Sequence, residues 1–317
     1  MGSRKIIKDM IVIVAAFLLF VLWYQRFVQG STQMTTTQDN KMQQVYLITT
    51  DKGYQYWGIM NQGAADMAVL MGVSYVWDAP KQRSTEQQIE IINNAVEQGA
   101  EALIVAPDDP ELISTAIEAA KAKGVKIIYV DAPPNEDAIS TLSTDNYKAG
   151  VQAGESVLFI LQEEGKMSGS VGIINLASKA NTKLREDGFR TTLEKDGRFN
   201  LLETIYMEDD DPVKAQKAAA RLMMEHEDLV ALFGTSEGTS IGVGNAIKDS
   251  GKEITGVGFD KTEVLMKLFR EKYLKVLIAQ NPYTMGYLGM AEAIAAIKEE
   301  NTGPQYINTG VSVLINY

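Results

Sequence analysis

Cysteine is absent from the 317 residues of this chain, and histidine occurs only once, as His226. Without cysteine there is no disulfide, no thiol nucleophile, no Cys-ligated zinc site and no thiol for lipid attachment. His226 lies in a charged run and is better explained as a surface residue than as a metal ligand or general base, because those sites need several convergent partners. We therefore expect neither a metal nor another cofactor.

Basic residues are scarce relative to acidic ones, with 30 Lys and Arg against 41 Asp and Glu, and the net charge is −11. This balance argues against nucleic acid as a partner, since phosphate binding depends on clustered Lys and Arg. A hydrophobic fraction of 45% and a charged fraction of 22% are typical of a globular protein. The length is enough for two domains, each with its own core.

Residues 1–29 differ from the rest of the chain. Basic residues precede an uncharged apolar run over residues 10–24, which carries Trp23 and Tyr24 at its far end. This pattern predicts a signal peptide or a transmembrane helix, with its N-terminus in the cytoplasm and the following chain outside. The two aromatic residues suit the lipid headgroup layer and favour a retained anchor over cleavage. Residues 30–44 are polar and predict a linker.

From residue 45 onward, short apolar runs alternate with longer stretches of helical periodicity. Alternation of this kind predicts parallel sheets that are covered by helices on both faces. The pattern is interrupted once and then resumes, so we expect two doubly wound α/β units. The predicted strands are 45–49, 75–77, 102–106, 126–130, 171–176, 200–206, 229–233, 253–259 and 275–279.

Polar groups and aromatic rings follow these predicted strands. In doubly wound sheets, ligands bind outside the carboxyl ends of the strands. Hydroxyls, amides, carboxylates and rings together are typical of a sugar site, where rings pack against the C–H face and polar groups bind hydroxyls. Each aspartate could instead cap a helix, and Tyr56 or Trp57 could be a core residue. Their recurrence at equivalent positions favours a binding site; the segments are 50–57, 107–109, 131–133, 234–237, 260 and 280–282.

Sequence signals for catalysis are weak. The glycine-containing stretches 238–244 and 256–258 do not have the dinucleotide-binding spacing after the first strand, and the sequence contains no Gly-Lys-Ser/Thr phosphate loop. The acidic runs 108–109 and 209–211 are interpreted as solvated helix caps rather than as a general acid and base. We therefore expect a binding protein and not an enzyme.

Six segments carry a family resemblance through their order and spacing: Ala64-Ala65, 101–107, 125–131, 143–147, 185–189 and 257–260. Through them the chain, from residue 45 to its C-terminus, resembles the type I periplasmic sugar-binding proteins, in particular the group typified by ribose-binding protein. The resemblance implies two lobes joined by a three-strand hinge. It places the N-terminal lobe at 45–144 plus 281–308 and the C-terminal lobe at 145–280 plus 309–317.

The same resemblance implies a set of ligand-binding residues. The aromatic platform corresponds to Tyr56 and Trp57, with a polar contact from Tyr54. The strand-end carboxylates correspond to Asp131 and Asp260, and Phe259 is a second ring face. The contacts from the far lobe and the hinge correspond to Lys183 or Arg185, Ser236 and Gln280. The chain departs from the family pattern where Ala132 and Lys183 replace arginines and where Ser236 replaces asparagine. Because lysine cannot reproduce the bidentate contacts of arginine, the hydroxyl pattern must differ from that of ribose. Pentoses, hexoses and other polyhydroxylated ligands all stay open.

The resemblance also leads to an expectation about the partner protein. The resemblance implies a receptor that presents its closed form to a membrane protein, either a histidine kinase, which would make it a sugar sensor, or the permease of an ABC importer. A retained helix favours sensing. Sugar-dependent transcription repressors share the fold but need an N-terminal helix-turn-helix, where this chain has its apolar run. We expect an extracytoplasmic protein anchored to the membrane by that helix.

Overall fold

The computed structural model describes residues 44–177 and 180–316. The predicted anchor at 1–29 lies outside these residues, as does the linker except for its last residue. None of the described helices has the length and apolar character needed to cross a membrane.

The described residues form strands and helices in near-strict alternation. The strands are β1 (Gln44–Ile48), β2 (Ser74–Asp78), β3 (Ala102–Val105), β4 (Lys126–Asp131), β5 (Ser140–Ser143), β6 (Gly169–Leu176), β7 (Phe199–Leu201), β8 (Ile205–Met207), β9 (Leu229–Gly234), β10 (Thr255–Phe259), β11 (Val276–Gln280), β12 (Tyr306–Asn308) and β13 (Val311–Ile315). The helices are α1 (Gln55–Met71), α2 (Thr85–Glu97), α3 (Pro110–Ala122), α4 (Asn146–Glu163), α5 (Ala180–Asp196), α6 (Pro212–Glu225), α7 (Glu237–Ser250), α8 (Glu263–Arg270) and α9 (Pro282–Ile297).

These strands build two sheets, one in each of two lobes. The first has the order β12-β5-β4-β3-β1-β2 and is parallel throughout. The second has the order β13-β11-β10-β9-β6-β7, with β8 also pairing with β6, and only β13 runs antiparallel to its neighbour. The predicted two-lobe α/β fold with parallel sheets is confirmed. The run at 200–206, predicted as one strand, is divided between β7 and β8, which pair with opposite ends of β6.

Local sequence sets where the helices begin. Helix α3 starts with Pro110, and the carboxylate of Asp109 accepts hydrogen bonds from the first free backbone N–H groups. Helix α6 repeats the arrangement with Asp211 and Pro212. Proline suits the first helical position because its missing N–H would have no helical partner. These caps fix the strand-to-helix turns that line one edge of each sheet.

Each lobe contains a close helix crossing that depends on a pair of glycines. In the first lobe α1 meets α9 at Gly63 and Gly286, and in the second α4 meets α5 at Gly150 and Gly188. A Cβ added at any of these four glycines would lie 2.0–2.1 Å from a backbone carbonyl oxygen of the facing helix. At Gly150 that oxygen belongs to Arg185. The crossing therefore fixes the position of an arginine that reaches the site described below.

The chain passes between the lobes after β5, after β11 and between β12 and β13. Side chains join these three crossovers to one another. The Thr144 hydroxyl donates to Oε1 of Gln280 at 2.9 Å, and Nδ2 of Asn281 donates to the carbonyl of Thr309 at 2.8 Å. The backbone N–H of Thr309 donates to the carbonyl of Ser143 at 2.9 Å. The hinge is thus one hydrogen-bonded unit.

Candidate functional site

A cavity of about 360 Å³ lies between the lobes, at the carboxyl ends of both sheets. The first lobe lines it with the segments that follow β1, β2, β3 and β4. The second lobe contributes the start of α5, the turn before α6 and the segments that follow β9 and β10. Gln280, at the end of β11, lines it from the hinge. Its volume is at the lower end of the range for small-molecule sites, as expected for a ligand of monosaccharide size.

Two aromatic rings form one corner of the cavity. Tyr56 and Trp57 contact edge to face, with ring centroids 4.9 Å apart and an interplanar angle of 86°. The Tyr56 hydroxyl donates to Oδ1 of Asp131 at 2.6 Å, and Nε1 of Trp57 donates to Oδ2 of Asp51 at 3.1 Å. Both rings are buried in the core of the first lobe and also line the cavity. The core and ligand-platform interpretations of these residues are therefore compatible.

Two aspartates occupy strained backbone positions at the cavity. The φ angles of Asp131 and Asp260 are +68° and +77°, in the left-handed region that non-glycine residues seldom adopt. Such strain concentrates at functional sites, where the surrounding structure enforces it. Asp260 accepts a hydrogen bond from Nε2 of Gln280 at 2.8 Å. Burial raises the pKa of Asp260 to about 6, against the opposing effects of Arg185 and of the Gln280 hydrogen bond.

Arg185 supplies a buried positive charge. Its guanidinium carbon lies 3.7 Å from the ring centroid of Phe259. Nε donates to Oδ1 of Asn146 at 2.8 Å, and Nη1 donates to the carbonyl of Thr235 at 2.9 Å. Burial lowers the pKa of Arg185, while the nearby carboxylates Asp260 and Asp131 act in the opposite direction. A guanidinium held this firmly is suited to bind hydroxyl or carboxylate oxygens.

Two of the predicted contacts do not line this cavity. Phe259 was predicted as a second ring face, but its side chain is fully buried beneath Arg185. Lys183 has a side chain that is 54% exposed, and its Nζ pairs with Oδ1 of Asp187 at 2.6 Å. Positions 183 and 185 are separated by about 200° around a helix, so only one of them can face the cleft. Arg185 occupies that position.

Eight of the predicted residues do line the cavity, and their roles as ligand contacts stay predictions. Two of them are already engaged by Asp210. The Tyr54 hydroxyl donates to the backbone carbonyl of Asp210 at 2.8 Å, and the Ser236 hydroxyl donates to its Oδ1 at 2.6 Å. The eight residues are Tyr54, Tyr56, Trp57, Asp131, Arg185, Ser236, Asp260 and Gln280.

Several lining residues are absent from the set of individually predicted contacts, although Asp51 and Glu237 lie in the predicted strand-end segments 50–57 and 234–237. The sequence predicts solvated caps at 209–211, which fits Asp211, but Asp210 lines the cavity and accepts a hydrogen bond from the Thr239 N–H at the start of α7. Glu237, the residue after Ser236, is buried and also lines the cavity. The strand-end position of both segments was the available signal. Two further polar lining residues, Arg83 and Asn181, lie in none of the predicted segments.

Hydrogen bonds link the two lobes across the cleft. Besides the contact from Tyr54 to Asp210, Nδ2 of Asn181 donates to the carbonyl of Asp131 at 3.2 Å. The backbone N–H of Glu263 donates to Oε1 of Gln55 at 2.8 Å. Direct contacts of this kind around a cavity define a closed arrangement of the lobes.

A two-lobed α/β chain with three crossovers and a cleft at the carboxyl ends of both sheets has the architecture of a type I periplasmic binding protein. Residues 45–301 match the periplasmic binding protein domain family. The chain belongs to that family.

Comparison with individual proteins agrees with this assignment. The chain is 28% identical over 213 residues to the ribose import binding protein RbsB of Bacillus subtilis, covering 67% of this chain and 68% of that protein. It is 28% identical to the periplasmic component of an ABC-type sugar transport system from Hahella chejuensis, with a TM-score of 0.79 and coverage of 86% and 100%. A carbohydrate transporter solute binding protein from Agrobacterium radiobacter, solved with D-arabinose, shares the fold at 24% identity and a TM-score of 0.80, with coverage of 88% and 96%.

Proposed function

We propose that this protein captures a small sugar, a pentose or a hexose, between its lobes and delivers it unchanged to an ABC importer as the substrate-binding component. The proposal is carried by the cavity of about 360 Å³ between the lobes, where carboxylates from both lobes, an arginine and aromatic rings converge. These are the groups that hydrogen-bond hydroxyls and pack against the C–H face of a sugar.

Each lobe offers one part of such a site. The first lobe supplies Tyr56, Trp57 and Asp131, and the second supplies Arg185 and Asp260. A sugar in the cavity would contact both sets only when the cleft is closed. That difference in contacts is what shifts an equilibrium between open and closed forms toward the closed one.

Import has more support than sensing. The relatives include proteins described as ribose import binding proteins and as a component of a sugar transport system. The expectation of a histidine kinase partner depended on a retained helix within residues 1–29, which lie outside the described part of the chain. An extracytoplasmic position follows from the proposed function, whether or not that helix anchors the protein.

A two-stage experiment tests the proposal. A thermal-shift panel of pentoses and hexoses on the full chain should reveal at least one sugar that raises the melting midpoint, because a ligand of the folded state stabilises it in proportion to saturation. Uptake of that labelled sugar should then be lost in cells lacking the gene. Loss of sugar-induced transcription with uptake intact would establish sensing instead. A panel in which no sugar shifts the midpoint would contradict sugar binding.

A further inference from the structure

Five buried residues form one continuous line of hydrogen bonds that passes through the hinge. Nε of Arg185 donates to Oδ1 of Asn146 at 2.8 Å, and Nδ2 of Asn146 donates to the carbonyl of Thr144 at 3.1 Å. The Thr144 hydroxyl donates to Oε1 of Gln280 at 2.9 Å, and Nε2 of Gln280 donates to Oδ1 of Asp260 at 2.8 Å. The line therefore connects the buried arginine of the cavity to its strained aspartate by way of the first crossover.

The two ends of this line fix the direction of every bond in it. A guanidinium can only donate, so the Asn146 amide presents its oxygen to Arg185 and its nitrogen to Thr144. An ionised carboxylate can only accept, so the Gln280 amide presents its nitrogen to Asp260 and its oxygen to Thr144. Thr144 meets both amides with the groups they need, a carbonyl that accepts and a hydroxyl that donates. A half-turn of either amide would bury mismatched polar groups, which is costly.

Thr144 and Asn146 lie behind the cavity wall. Neither of them lines the cavity, whereas Arg185, Gln280 and Asp260 all do. The exposed fractions are 3% for Thr144 and 4% for Asn146. Residues buried in this way can affect a ligand only through the groups that they hold in place.

The orientation of Gln280 depends on the Thr144 hydroxyl. An amide has two N–H donors, and since one of them binds Asp260, the other can reach a ligand oxygen in the cavity. Loss of the hydroxyl would bury the Gln280 oxygen without this donor. A reversed amide could then find the backbone no better and would place its oxygen against the Asp260 carboxylate, where two acceptors repel. Either result would disturb both of the groups that a ligand hydroxyl meets at this end of the cavity.

We infer that Thr144 is a positioning residue of the sugar site, whose hydroxyl sets the orientation of the Gln280 amide and thereby holds Asp260 ready to accept a ligand hydroxyl. This role rests on the proposed function and extends the site to a hinge residue that does not touch the ligand. Thr144 follows β5 at the first crossover, and Gln280 ends β11 at the second. The same hydrogen bond thus ties the geometry of the site to that of the hinge.

Calorimetric titration of the full chain tests the role of the hydroxyl. The probe is the tightest-binding member of a panel of pentoses and hexoses that includes D-ribose, D-arabinose, D-xylose, D-glucose and D-galactose. Thr144→Val keeps the shape of the side chain and removes the hydroxyl, so we expect the probe to bind about tenfold more weakly or worse. Thr144→Ser restores the hydroxyl and should return the affinity to within about threefold of the wild type.

Two further variants separate the hydroxyl from packing and from the hinge in general. Thr144→Ala also lacks the hydroxyl and should weaken binding to a similar extent, so that a packing fault specific to valine is recognised. Thr309→Val makes the matched change at the third crossover, where the hydroxyl donates to the carbonyl of Ser143 at 3.3 Å, outside the line. It should change affinity by less than about threefold. Titrations at low temperature keep the variants folded.

A double-mutant cycle shows whether Thr144 acts through Gln280. Gln280→Met replaces the amide by an unbranched side chain of similar length and should weaken binding by itself, since Gln280 lines the cavity. If Thr144 acts through that amide, adding Thr144→Val to Gln280→Met should weaken binding by less than about threefold more. A hydroxyl that only stabilises the hinge would cost the same affinity in both backgrounds.

Three outcomes would overturn the positioning role and leave the proposed function intact, because the wild type would still bind the sugar. They are wild-type affinity in Thr144→Val, failure of Thr144→Ser to restore binding, and additive effects in the cycle. If the wild type binds no sugar of the panel, both the positioning role and the proposed function are wrong.

Discussion

Asp131 and Asp260 occupy equivalent places in the two lobes. Each lies at the carboxyl end of a parallel strand, each has a left-handed backbone, with φ of +68° and +77°, and each faces the same cavity. The two doubly wound units thus bring one strained carboxylate apiece to a shared site. Strain that is repeated at matching positions is more readily explained by a common binding role than by packing.

The first prediction concerns Asp260. Asp260→Asn should weaken binding of the cognate sugar by about 10- to 150-fold, because a hydrogen bond to a charged group contributes about 1.5–3 kcal/mol. Asparagine tolerates the left-handed backbone, so the fold should survive. Calorimetry measures the affinity, and Asp187→Asn, on the exposed side of α5, is the control. An affinity equal to that of the wild type would exclude Asp260 as a ligand contact.

A second prediction contrasts Arg185 with Lys183. Arg185→Lys should reduce sugar affinity at least tenfold, since lysine cannot keep the bonds to Asn146 and Thr235 and also stack on Phe259. Lys183→Ala should change affinity by less than about twofold and stability by less than about 1 kcal/mol, as is typical of an exposed ion pair. Titrations with the labelled sugar at low temperature keep both variants folded. The assignment of Arg185 to the cleft fails if the two variants behave in the reverse way.

These two residues also show how far the sequence could go. Apolar periodicity predicted the two sheets and the lobes, because strand and helix periods depend on local residue order. The family resemblance left Lys183 and Arg185 as alternatives, and only the rotation of α5 decides between them. Phe259 lies in the core instead of the cavity for a similar reason. Successive residues of a strand point to opposite faces of the sheet, and only the tertiary structure determines which of them reaches the cleft.

Glu237 marks another limit of the sequence. A glutamate at the first position of a helix is common on electrostatic grounds alone, so its sequence position does not distinguish a cap-stabilising residue from a buried one. Burial raises its pKa, and its electrostatic environment combines Asp260 and Asp210 of the second lobe with Asp51 of the first lobe, all of which raise that pKa further. Information of that kind is spread over distant segments and is not visible in local patterns.

A third prediction follows from the raised pKa values. Asp260, with a pKa of about 6, and Glu237, with a pKa of about 8, bind protons more tightly in the folded than in the unfolded chain. The free energy of unfolding therefore falls with rising pH wherever the folded state holds more protons than the unfolded state. That range runs from the unfolded pKa values near 4 up to these folded pKa values. The melting midpoint of the sugar-free protein should decrease as the pH rises from about 5 to 8.

Glu237→Gln provides the control for that pH dependence. The substitution removes the carboxyl group with the higher of the two pKa values. The decrease in melting midpoint between about pH 6 and 8 should therefore be much smaller in the variant, while the decrease at lower pH that Asp260 causes should stay. Calorimetric melts in matched buffers measure both curves. A wild-type midpoint that rises over this range, or identical curves for the two proteins, would contradict the proposed environment of Glu237.

The last prediction concerns closure. The Tyr54 hydroxyl of the first lobe donates to the backbone of Asp210 in the second, a bond that exists only when the lobes meet. Small-angle scattering should show a smaller radius of gyration with saturating sugar than without it. Tyr54→Phe removes the hydroxyl but keeps the ring, so it should leave the open form unchanged and weaken sugar binding by about 2- to 12-fold, the effect of one hydrogen bond of about 0.5–1.5 kcal/mol. Because the lost bond acts only on the closed form, the dissociation rate of the sugar should increase more than its association rate decreases. If saturating sugar leaves the scattering curve unchanged, the two lobes do not close on the ligand, and the contact from Tyr54 to Asp210 is a fixed feature of the fold.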